Sequence, residues 1–185
     1  MVLLYVLAFI VIVILAWIIA VSNRIKVMEV KIDEASSSID VALEKRYSVL
    51  SKQMDIVKGV CSHEQKLLFE SIKLRQGMNF DEQNEAIEKV TKLANGINAL
   101  AENYPEIKTN ENFAILQKSV NDTEEHLQAA RRLFNSNVSS FNQYVVTFPN
   151  SIVAALVGKQ QKTFFVADEQ RKKDVDLSMD SVSNN

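Results

Sequence analysis

An all-α fold follows from three features of this sequence. Glycine and proline punctuate turns and strand ends, and they number only 4 and 2 in 185 residues, too few for a many-stranded β protein. Three long stretches repeat apolar residues at alternating spacings of three and four, the pattern of helices packed along one seam. Residues 2–21 also run without a single charge. The expected architecture is an N-terminal transmembrane helix followed by an antiparallel helical bundle, with three long helices and a short C-terminal one, four-helix-bundle-like. It divides into an anchor (1–23), a bundle (24–166) and a polar tail (167–185) expected to be disordered.

The first element is the uncharged run VLLYVLAFIVIVILAWIIAV. As a helix it spans about 30 Å, the thickness of a bilayer's hydrocarbon core. Tyr5 and Trp17 stand toward its ends, where amphipathic rings prefer the interface. A cleaved signal peptide is the alternative, with Ala20 and Ser22 imitating a cleavage site, but no Lys or Arg precedes the run. A buried core helix would need apolar partners on every side, and the rest of the chain offers only amphipathic helices. Arg24, Lys26 and Lys31 follow the run. The positive-inside rule then places the N-terminus outside and the rest in the cytoplasm, as a single-pass membrane protein.

The next seam reads Ile32, Ala35, Ile39, Ala42, Arg46, Val49, Gln53, Ile56, Val60, His63, Leu67, widened by Leu43, Leu50 and Val57. No proline interrupts residues 24–76, so one helix is expected to continue out of the membrane to a turn at Gln76-Gly77-Met78-Asn79. The following helix carries Ile87, Val90, Ala94, Ile97, Ala101 and Tyr104. It opens with Asn79 and Glu82 in capping-box spacing and ends before Pro105. The last long helix has the clearest seam: Phe113, Leu116, Val120, Thr123, Leu127, Ala130, Phe134, Asn137, Phe141, Tyr144. Phe148-Pro149 ends it, and Ile152–Val157 reads as a short helix before a strap carrying Phe164-Phe165.

Several of these residues together resemble the LemA family of bacterial membrane proteins, over nearly all of residues 1–166. The carriers are Ile39-Asp40-Val41-Ala42-Leu43 with Arg46, His63-Glu64, Arg75, and Glu102-Asn103-Tyr104-Pro105-Glu106-Ile107-Lys108. Phe113, Leu116-Gln117, Glu124, Arg131-Arg132, Asn135, Asn142, Phe148-Pro149 and Phe164 continue the match. Ser51 departs from it, standing where the family commonly places a proline. The resemblance implies a membrane helix and a helical bundle. It implies no reaction.

Little in the chain suggests catalysis. His63-Glu64 begins like a zinc-protease motif, but position 67 is Leu, and a helical two-ligand site needs the second His there. The other histidine is His126, and Cys61 is the single cysteine, so no metal and no cofactor is expected, and Cys61 reads as a buried, inert thiol. The glycines at 59, 77, 96 and 158 are too scattered for a phosphate loop. A net charge of −2 gives no basic excess for nucleic acid.

What stands out is polarity on the seams. Arg46, His63, Glu64, Glu124 and Arg131 are expected to form a paired polar layer that fixes helix register, with Glu124 and Arg131 near the level of His63-Glu64. Helix lengths suggest a second feature. If residues 24–76 make one helix of about 80 Å, a second helix of about 33 Å folding back from its tip cannot reach the membrane end. Ile32, Ala35, Ile39, Ala42 and Leu43 would then form an uncovered stripe, a candidate for self-association unless the C-terminal strap covers it. The function expected is a membrane-anchored, non-enzymatic scaffold that binds itself or a protein partner. The alternative is a membrane-bound hydrolytic or redox enzyme using the His/Glu/Arg group.

Overall fold

The computed structural model describes residues 1–60 and 74–165. They form five helices: α1 (Val2–Val60), α2 (Phe80–Asn103), α3 (Pro105–Lys108), α4 (Glu111–Val146) and α5 (Asn150–Leu156). No strand occurs among the described residues. His63, Glu64, Cys61 and the 167–185 tail lie outside them.

α1 is one helix about 88 Å long, and it carries the apolar run into the bundle without a break. Residues 2–16 are exposed along their whole length, while Val21 and Ile25 are buried in the bundle core with Trp17 and Ile18 packed against it. The helix is long and apolar enough at its N-terminal end to cross a membrane.

α4 lies antiparallel along α1. Gln117 meets Gln53, Glu124 meets Arg46, and Asn137 Nδ2 donates to the Lys31 carbonyl at 2.9 Å. One step up α1 is thus matched by one step down α4, and Val145 arrives in the same core as Val21 and Ile25. Every seam residue of α4 named above is buried or half-buried. Thr147 caps its C-terminus just before Phe148-Pro149, as the proline requires.

α2 departs from the expected direction. Gly77, φ +72°, donates its backbone N–H to Asp40 at 2.9 Å. Gln83 then pairs with Ser36 and Asp40, and Thr91 with Arg46. α2 therefore runs parallel to α1, starting beside residue 40 rather than at the tip of an 80 Å helix. Leu74 and Arg75 are not helical, so a single helix over 24–76 is corrected. Asn79 caps α2 in the expected capping box: its side chain accepts from Glu82 N–H, and the Glu82 carboxylate accepts from Asn79 N–H, both at 2.9 Å. Asn79→Ala should lower bundle stability by about 1 kcal/mol, readable as a shift of the urea midpoint with an unchanged slope.

The return of the chain to the level of Asp40 also corrects the uncovered stripe. Ile32, Ala35, Ile39, Ala42 and Leu43 are all buried within one chain, in one cluster with Leu127, Phe134, Val138 and Phe141 of α4 and Val153 of α5. α2 starts beside residue 40, nearer the membrane end than a turn at the tip of an 80 Å helix allows, and α4 descends along α1 as far as Val21 and Ile25.

Candidate functional site

Two polar layers cross the bundle. The upper one is built by Arg46, which α1 aims into the core with only 5% of its surface exposed. Its Nη2 stands 2.8 Å from Glu124 Oε2 of α4, and its Nη1 donates to Thr91 Oγ1 of α2 at 3.2 Å. The Glu124 contact falls off the hydrogen-bond angle, so it is an ion contact rather than an aligned bond. Glu124 Oε1 accepts from Gln128 at 2.8 Å. Two turns further up, Gln53 Nε2 donates to Gln117 Oε1 at 2.9 Å. Arg46 and Gln53 thus find partners on other helices, which is how a bundle fixes register.

The lower layer was not anticipated. Asp40 is buried, and its two oxygens accept from Gly77 N–H at 2.9 Å and from Gln83 Nε2 at 2.6 Å. Gln83 also donates to the Ser36 carbonyl at 3.1 Å. This triad ties the start of α2 to α1. Beside it, Arg75 grips Glu82 with bonds of 2.6 and 2.8 Å. The Arg75 guanidinium, with the Asn79 N–H, holds the Glu82 carboxyl below its ordinary value of 4.5. A depressed carboxylate pKa means the Arg75 grip and the capping box are complete above that ordinary value and are lost as pH falls through the lowered one.

Arg131 stands at the C-terminal strap. Its guanidinium lies 5.9 Å from the centre of the Phe165 ring, and Phe165 packs on Phe80 and Phe134 at 4.5 and 4.9 Å between ring centres. Arg131 sits two turns further along α4 than Glu124, which brings it to the C-terminal strap. Glu124 stands opposite Arg46; the expected neighbours of the pair, His63 and Glu64, lie outside the described residues.

The strap is held by two asparagines that periodicity did not single out. Asn135 accepts from Phe165 N–H at 2.8 Å and donates to its carbonyl at 2.9 Å. Asn142 does the same for Lys162, at 2.8 and 2.9 Å. Their heptad spacing was the available signal. Lys159 Nζ closes the strap onto α1 through both Glu29 oxygens at 2.8 Å. Asn135→Ala removes two bonds at once and should cost about 1–2 kcal/mol, seen as faster proteolysis near the strap.

Chemically these layers look inward. Among the described residues no group of three His, Cys, Asp or Glu side chains is placed to hold a metal ion, and His126 is exposed on the outer face of α4. A cleft of about 440 Å³ opens beside Asp40, Glu44, Tyr47 and Arg75.

The LemA family model matches residues 35–178. The chain is also similar to Protein LemA of Metamycoplasma hominis, 28% identical over 153 residues that cover 80% of this chain and 70% of that one. A family match over residues 35–178, well over half of the sequence, makes the chain a member of the LemA family.

Proposed function

We propose that the protein is a non-enzymatic scaffold anchored in a membrane through residues 2–21, which presents its bundle in the cytoplasm to a protein partner. The observation that carries this reading is the unbroken helix α1. It takes the uncharged run directly into the bundle core at Val21 and Ile25. A catalytic domain tolerates a flexible tether, whereas a continuous helix fixes the domain's height and tilt at the bilayer. The polar layers support the same reading, because Arg46 faces Glu124 and Asp40 accepts from Gln83 inside the bundle, where they tie helices together. LemA membership favours a membrane-associated role.

The orientation rests on Arg24, Lys26 and Lys31, the cations that follow the run. A phosphatase reporter that works only outside the cytoplasm, fused after Asn185, should be silent while a cytoplasmic reporter at the same place is active. The opposite pair of signals would overturn the orientation. Extraction of the protein by alkaline carbonate without detergent would overturn the anchor.

A further inference from the structure

We infer that the corner between α4 and α5 is a second membrane contact, seated at the boundary between lipid headgroups and acyl chains beside the anchor helix. The inference rests on the reading that residues 2–21 span the bilayer.

Three observations converge on it. The antiparallel register brings the end of α4 down to where the uncharged run of α1 ends: Asn137 is at Lys31, and Val145 shares a core with Val21 and Ile25. Phe148, a few residues further, therefore stands at about the height of residue 21, within roughly 5 Å. Next, this corner exposes large apolar side chains that the described residues leave uncovered. Phe148 is 77% exposed and Leu156 73%, with Val146, Ile152 and Val157 between 40 and 55%. The opposite face of α5, Val153 and Ala154, is fully packed against the bundle, so the exposed face is held rigidly in place. Finally, no charged residue occurs between Arg132 and Lys159, although this stretch contains exposed positions throughout. Cations begin just above it: Arg24 and Lys31 line a shallow groove of about 130 Å³ with Asn137 and Ser140, and Lys26 is exposed.

An uncharged apolar face below a collar of cations is what a headgroup boundary selects. A second copy or a protein partner would also bury apolar area, but neither accounts for the coincidence in height with the end of the anchor. The corner and the anchor then hold the bundle at two points on the bilayer, so the domain cannot swing about α1.

The test uses the full chain in nanodiscs of mixed phosphatidylcholine and phosphatidylglycerol, in a Cys61→Ser background. Single nitroxide labels are placed at Phe148→Cys and Ile152→Cys, with Leu133→Cys on the exposed face of α4 as the aqueous control and Ile10→Cys as the anchor control. Oxygen should relax the labels at 148 and 152 several-fold more, relative to a water-soluble nickel chelate, than it relaxes the label at 133. Circular dichroism on the same samples verifies that the helices persist. If 148 and 152 report water while 10 reports lipid, the second contact is wrong and the anchor stands. Water at position 10 overturns the anchor and the inference with it. Shielding of 148 and 152 from both reagents, with spin–spin broadening, assigns the corner to another copy and also overturns the inference.

Discussion

The double variant Ile39→Asp with Leu43→Lys should lose its cooperative fold, not merely change its association state. Both side chains are fully buried between α1 and α4. Removing a large apolar side chain from such a site costs about 2–5 kcal/mol, and stranding a charge there adds several more. The sum is comparable with the whole stability of a domain of this size, about 5–15 kcal/mol. The introduced carboxylate and ammonium lie one turn apart and could pair, but a pair in a dry seam recovers little of its desolvation cost. In detergent, the variant should lose its sharp thermal transition and expose the 36–43 region to protease. A variant that melts like the parent while a parental oligomer falls apart would instead show that this seam belongs between chains.

That outcome bears on what the sequence could reveal. The seams of α2 and α4 were legible because a three-four repeat has one structural meaning, and the capping box at Asn79 and the stops at Pro105 and Pro149 are local chemistry. The direction of α2 was not legible. It depends on where the chain leaves the axis of α1, and a seam that continues past Val60 in register gives no sign of that. Asp40 and Gln83 were hidden for a related reason: each is one polar residue beside an apolar seam, and only their meeting makes them a layer. Asn135 and Asn142 show the converse. Their heptad spacing is visible, but their partners are backbone groups of Lys162 and Phe165, and no side-chain pattern marks a backbone group. Of the polar residues singled out by sequence, Arg46 and Glu124 do meet, while Arg131 turned to the strap because its position two turns along α4 brings it level with Phe165 rather than with Arg46.

The upper layer itself should respond asymmetrically. Glu124→Ala is expected to cost about 3 kcal/mol, because Arg46 stays buried at mid-bundle without this carboxylate. Arg46→Met should cost much less, about 1 kcal/mol. The methionine fills the space of the arginine stem, and Glu124, whose side chain is 29% exposed, can turn its carboxylate to water. The pair replaced together, Arg46→Met with Glu124→Leu, should recover most of the loss and reach roughly parental stability, since a well-packed apolar layer matches a buried ion pair. Urea midpoints of the parent, the two single variants and the double variant form a closed cycle that measures the coupling directly; for that cycle the single variant at 124 is Glu124→Leu. A coupling near zero would mean the two residues do not depend on each other, and the 2.8 Å contact contributes nothing to the fold. If the double variant is stable but populates more than one arrangement, seen as broadened amide resonances, the pair fixes register at little net gain in stability. A scaffold must hold one surface in one place, so that result would explain why an ion pair stands where leucine would pack as well.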